Sequence, residues 1–208
     1  MRFLLIPLLA LVFATPAWAG CANAGYSYGG VETTAPARGL SATLSTLRRL
    51  DVASGHVAAW VGVGGAAQGA NGADEWLQIG ISAFPGGRTE IYYEVTLPNR
   101  KTRYTTVRRL SAGGSHRVAV TETAPNVWQA SLDGRAVSRA FTLPGSDGRW
   151  RPTVTTESYD GGYTACNAYR FRLGGIAVDG GTPALHPFSN GGHTLHRLAA
   201  NDLIVWRS

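Results

Sequence analysis

The chain is poor in lysine, methionine and cysteine. Its 208 residues include one lysine (Lys101), one methionine (Met1) and two cysteines (Cys21, Cys166). Only 15% are charged, against about 25% in an average soluble protein. Each shortage excludes something. The net charge of +6 rests almost entirely on arginines in no run longer than a pair (Arg48-Arg49, Arg108-Arg109). A nucleic-acid surface would be clustered, so a generally basic exterior is expected and no nucleic-acid partner. Scarce Lys and Met, with abundant Gly, Thr and Val, argue against a helical bundle. Two distant cysteines make neither a disulfide-rich scaffold nor a metal site. Neither a Gly-x-Ser-x-Gly elbow nor a phosphate loop occurs, and Ser115-His116 is mere adjacency. His193-x-x-His196 has ligand-like spacing without an acidic or third partner nearby, so no metal and no cofactor are expected. Beyond the N-terminus no stretch approaches the ~18 uninterrupted apolar residues of a membrane helix. With 44% apolar residues the chain can fill a core and is not disordered.

The N-terminus has the form of an export signal over residues 1–19. Arg2 supplies the positive end, Phe3 to Phe13 the short apolar stretch, and Ala17-Trp18-Ala19 the cleavage site. A secreted or periplasmic location follows as an expectation. Cys21 lies just beyond that site, where a lipid anchor could be attached. The residue three before it is Trp18, however, where lipidation signals usually carry Leu. In an oxidising compartment a Cys21–Cys166 disulfide is the expected use of the pair.

The rest of the chain reads as strands cut by Gly, Pro, Asn and Asp. They are Val57–Val63, Trp76–Ser82, Glu90–Leu97, Arg103–Leu110, Arg117–Thr123, Val127–Leu132, Val137–Leu143, Arg151–Tyr159 and Tyr169–Val178. Asp133-Gly134 marks a hairpin. A short helical turn around Ser41–Asp51 is compatible with the pattern. Short strands about ten residues apart predict an all-β antiparallel sandwich or jelly roll over residues 20–178. Residues 179–208 read as a Gly/Pro/His-rich C-terminal extension with one last strand at Leu203–Trp206. A monomer is expected.

Period-two alternation sorts the strand faces. Leu77, Ile79 and Ile81 share one face, against Trp76, Gln78, Gly80 and Ser82 on the other. The valines of 57–63 oppose Ala58, Trp60 and Gly62. Ile91, Tyr93 and Val95 oppose Tyr92, Glu94 and Thr96, and Thr155, Glu157 and Tyr159 share a face away from Val154. Stacked in one sheet, the second faces predict an aromatic-lined groove, with glycines admitting a substrate backbone.

At these strands the sequence resembles the glutamic peptidases, or eqolisins: acid-active secreted enzymes on a concanavalin A-like double sheet. The resemblance is carried by Ala59-Trp60-Val61-Gly62-Val63, Leu77-Gln78-Ile79-Gly80, Tyr93-Glu94 followed by Pro98, and Thr156-Glu157 leading to Tyr169-Arg170-Phe171, in the family's order. It implies a catalytic dyad of Glu157 and Gln78 acting on a peptide or protein substrate. A carboxylate can take a proton from water and return it to the leaving amine; a carboxamide can hold that water and donate to an oxyanion. Where the family usually has an Asp after the Trp-Val-Gly piece, this chain has Gly64-Gly65, and Ser158 stands between Glu157 and Tyr159. Trp60, Trp76, Tyr92, Glu94 and Tyr159 are the expected substrate-binding residues, although Trp76 fits the core equally well. The competing reading from another class is a non-catalytic, lectin-like module on the same sheet. There Trp60, Trp76, Tyr92 and Tyr159 would stack on a glycan or peptide.

Overall fold

A computed structural model describes residues 25–48, 50–111, 114–160, 167–179 and 184–207. The export-signal residues and both members of the expected disulfide, Cys21 and Cys166, lie outside the described residues. Among the described residues fifteen strands occur, in chain order. The first six are β1 (Tyr26–Thr33), β2 (Gly39–Thr46), β3 (His56–Gly65), β4 (Glu75–Ala83), β5 (Thr89–Thr96) and β6 (Arg103–Leu110). Then come β7 (Ser115–Ala124), β8 (Val127–Leu132), β9 (Arg135–Ala136), β10 (Phe141–Thr142) and β11 (Thr153–Tyr159). The last are β12 (Tyr169–Val178), β13 (Leu185–Ser189), β14 (Thr194–Ala199) and β15 (Asp202–Arg207). They form two antiparallel sheets, ordered β13-β1-β11-β3-β4-β5-β6 and β10-β8-β7-β2-β12-β15-β14, with β9 beside β8. The molecule is an antiparallel β-sandwich of the jelly-roll kind, as the strand rhythm predicts.

The alternation does what the sequence pattern requires. Val57, Ala59, Val61, Leu77, Ile79, Ile81, Ile91, Val95 and Val154 from the first sheet are buried against Leu40, Leu44, Val118, Val120, Ala130, Phe171, Leu173 and Val205 of the second. One fully buried aliphatic side chain stabilises a fold by roughly 1.5–3 kcal/mol, so this face commits each strand to its register. Asp133 and Gly134 both take positive φ (49° and 80°), the type I′ geometry that turns β8 into β9.

Three expectations need correction. Among the described residues of 41–51 no helical turn forms; residues 39–46 are β2, with Leu40, Ala42 and Leu44 inward and Ser41, Thr43 and Ser45 outward. A period of two outweighs the weak helical reading. The run Val137–Leu143 is not one strand. The Ser138 hydroxyl accepts from the Ala130 N–H (2.9 Å) and donates to the Arg139 carbonyl (2.8 Å), and within the run only β10 pairs as a strand. Nor does the sandwich stop at residue 178. β13 pairs with β1, with Pro187 opposite Val31, and β15 pairs with both β12 and β14. β13 and β14 are edge strands exposed over most of their length, so no apolar alternation marks them.

Candidate active site

The outer face of the first sheet is the floor of a groove of about 810 Å³. Its floor is laid out in cross-strand rungs. Tyr26, Tyr159 and His56 stand side by side on β1, β11 and β3; Tyr28, Glu157, Ala58, Ser82 and Glu90 form the next rung. Thr155, Trp60, Gly80 and Tyr92 follow, then Gly62, Gln78 and Glu94, then Trp76. Every site residue expected from the sequence except Tyr159 lines this groove, and Tyr159 stacks on Tyr26 at its end (4.8 Å between ring centres). Trp76 therefore belongs to the groove and not the core.

Glu157 is the most constrained side chain of the site. It is 6% exposed, and each carboxylate oxygen has a partner. Trp60 Nε1–H donates to Oε2 (3.0 Å), and His56 Nε2 lies 2.8 Å from Oε1. A carboxylate accepts about four hydrogen bonds, so capacity is left for a water. On the other side Gln78 Nε2 donates to the Tyr92 hydroxyl (3.1 Å), and Trp76 Nε1–H donates to Glu94 Oε1 (2.9 Å). Burial first, then the charges of Glu157 and Glu94, pushes the Tyr92 hydroxyl well above its ordinary value, leaving it a proton donor. Burial also raises the Glu94 carboxyl; the Trp76 N–H opposes this and the Glu157 charge adds to it.

Glu157 and Gln78 share the groove face, but they are not on neighbouring strands. β3 lies between β11 and β4, and Glu157 is level with Ala58 whereas Gln78 is level with Gly62. On a flat sheet that offset separates their backbones by about 16 Å. The site therefore has two halves. Glu157 with Trp60 and His56 makes one; Gln78 with Tyr92 and Glu94 makes the other.

The glycines of the floor have a different role from the one the sequence suggests. A Cβ on Gly80 would lie 2.6 Å from Trp60 Cβ and 2.1 Å from the Ala59 carbonyl oxygen, and one on Gly62 would lie 3.0 Å from the Trp60 ring. Gly62 makes room for the Trp60 ring and Gly80 for the backbone and Cβ of β3 at Trp60, whose indole N–H reaches Glu157. At Gly64 φ is +77° and a Cβ would meet the Glu75 carbonyl at 2.2 Å, so a carboxylate side chain does not fit there.

Sequence reasoning missed His56, Tyr26, Tyr28 and Tyr104, all of which line the groove. Extending the β3 alternation back from Trp60 through Ala58 would have found His56; the tyrosines of β1 lie in a Gly-rich strand with little apolar signal. His193 and His196 do not act together. His193 is buried, receiving the Tyr169 hydroxyl proton at Nε2 and donating from Nδ1 to the Asn190 carbonyl (2.7 Å), whereas His196 is exposed on β14.

Among solved structures, this chain is similar to scytalido-glutamic peptidase with a peptide-based transition-state analogue. The TM-score is 0.60 at 18% identity, over 88% of this chain and 98% of that one. It is also similar to SCP-B, a member of the eqolisin family of peptidases in complex with the tripeptide Ala-Ile-His, with a TM-score of 0.56 at 18% identity over the same shares. At such identity the likeness establishes a common fold. No family model matches the chain, and no curated protein matches it.

Proposed function

We propose that the protein is a glutamic-peptidase-like hydrolase that cleaves peptide bonds in the groove of the first sheet. The observation that carries this reading is the setting of Glu157: a nearly buried carboxylate on the groove floor, held by two ring nitrogens and facing a second polar cluster centred on Gln78. A peptide lying across β3 spans both halves. Glu157 takes a proton from a water as the water oxygen bonds to the scissile carbonyl carbon. It returns that proton to the nitrogen as the C–N bond breaks. Gln78, with the protonated Tyr92 hydroxyl beside it, supplies hydrogen bonds to the developing oxyanion. Trp60, Trp76, Tyr92, Glu94 and Tyr159 line the path of the substrate. The site needs no metal or cofactor for this chemistry.

The test is hydrolysis of a denatured protein across acid to neutral pH, comparing wild type with Glu157→Gln. Loss of activity in the variant supports the reading, and equal activity overturns it. The stacked Tyr26, Tyr28 and Tyr159 rings favour one competitor, a lectin-like module. Glycan binding without hydrolysis at any pH would establish it. The export-signal pattern supports a secreted or periplasmic protein, in which Cys21 and Cys166 are proposed to pair. Alkylation of the denatured, unreduced protein should then find no free thiol, and two free thiols or a lipid mass increment would refute the pairing.

A further inference from the structure

The peptidase reading above gives His56 no step in the reaction, yet the residue is built into the site from three sides. Its Nε2 lies 2.8 Å from Glu157 Oε1. Its ring packs among Tyr26 (5.8 Å), Tyr159 (5.7 Å) and Phe84 (6.1 Å), which come from β1, β11 and the turn after β4. The backbone leading into it is clamped as well. Asn167, fully buried, accepts from the Ala53 and Ser54 N–H groups (2.9 and 3.2 Å) and donates to the Ser54 and Tyr159 carbonyls (2.9 and 3.3 Å). One side chain thus ties the turn before His56 to the end of the strand carrying Glu157. Gly55 completes the turn: its φ is +65°, and a Cβ there would sit 1.9 Å from the Tyr159 carbonyl oxygen. A surface histidine would need none of this.

We infer that His56 is the positioning residue of Glu157, holding its carboxylate in place with an Nε2–H hydrogen bond. The inference rests on the peptidase reading. Among the described residues, the groups facing the His56 ring are Glu157 and Tyr159 of β11, Tyr26 and Tyr28 of β1, Phe84 carrying the Arg88 guanidinium (4.0 Å over its ring), and the more distant Glu94 of β5. Of these the Glu157 carboxylate alone bonds the imidazole. The Nε2–H hydrogen bond fixes the direction of Oε1 and leaves the remaining lone pairs of the carboxylate for a water.

Two measurements test this. In steady-state hydrolysis, His56→Ala should lose about 10²-fold in kcat with little change in KM, as a misplaced catalytic group does. His56→Gln restores a donor, so it should recover most of kcat. A His56→Ala enzyme with the wild-type rate, or a His56→Gln enzyme no better than alanine, overturns the role. The second readout needs no activity. In 15N spectra recorded at about pH 8, His56 should carry its proton on Nε2 in the wild type. In Glu157→Gln, whose amide N–H donates instead, the proton should move to Nδ1. A wild-type Nδ1–H tautomer refutes the hydrogen bond. A wild type that cleaves nothing but carries the Nε2–H tautomer removes the peptidase reading and the catalytic part of this one, and leaves the pair as a structural clamp.

Discussion

Glu157 sits between two ring nitrogens, and this makes Glu157→Gln an informative variant. Its amide oxygen can accept from Trp60 while its amide nitrogen donates to His56, so both contacts of the carboxylate survive with one imidazole proton relocated. The fold should persist, with an unchanged urea midpoint, while kcat/KM falls by about 10²–10⁴, the usual loss of a positioned acid–base group. Gln78→Ala removes the amide held by Tyr92 and should cost about 10²–10³ in kcat. Alternation placed both residues on the groove face, and the resemblance to the glutamic peptidases singled them out there. Their partners were less legible. Trp60 and Glu94 could be assigned to the groove face, but that Trp60 bonds Glu157 and Trp76 bonds Glu94 depends on side-chain direction, which alternation does not specify.

At the scale of the strand, β3 and β4 form the centre of the site, and their glycines serve the tryptophan between them. Gly80→Ala should therefore act through Trp60. The new Cβ has no room beside the Ala59 carbonyl and Trp60 Cβ, so the backbone or the indole must move. The expected cost is about 1–3 kcal/mol, typical of overpacking, read from denaturant unfolding. The Trp60 indole N–H resonance should also lose its hydrogen-bonded position. An unshifted resonance with wild-type stability would refute this account of Gly80. β1 shows where pattern reading fails. Its Tyr26 and Tyr28 line the groove, but Gly29 and Gly30 interrupt the strand. Gly30 is glycine because a Cβ would lie 2.3 Å from the Val154 carbonyl, and Gly29 because one would lie 2.6 Å from His193. Close approach between distant segments dictated both residues and erased the local strand signal.

At the scale of the whole molecule, the C-terminal strand is locked to the site strand. Arg207 of β15, buried, donates to Asp160 (2.8 Å) and Ser27 (3.3 Å), and Ser158 donates to the other Asp160 oxygen (2.9 Å). Arg207→Ala leaves Asp160 buried and unpaired, so a loss of about 3–5 kcal/mol in unfolding free energy is expected. A change under 1 kcal/mol would show that β15 is held by its backbone pairing alone. Acidification acts on the whole fold through buried groups of both kinds. Burial holds the His193 imidazole below its ordinary value of 6.5. As pH falls through 6.5, the unfolded chain gains a proton that the folded chain takes up only at lower pH, so this contribution is complete above 6.5 and is lost below it. Burial raises the Glu75 and Glu94 carboxyls above 4.5; the unfolded chain then ionises first as pH rises, so their contribution grows on acidification. His193→Gln keeps both hydrogen-bonding directions without the titration. Its urea midpoint should fall less than the wild type's between about pH 7.5 and 5.5, and equal falls would sink the assignment. The sequence by itself determined the sandwich class and the inner and outer faces of the central strands, because period-two burial is a local property of the chain. Only the tertiary structure decided that β3 separates Glu157 from Gln78, that His56 meets Glu157, and that residues 185–207 close both sheets. Those facts depend on strand order and cross-strand register, which are set by pairing between segments far apart in the chain.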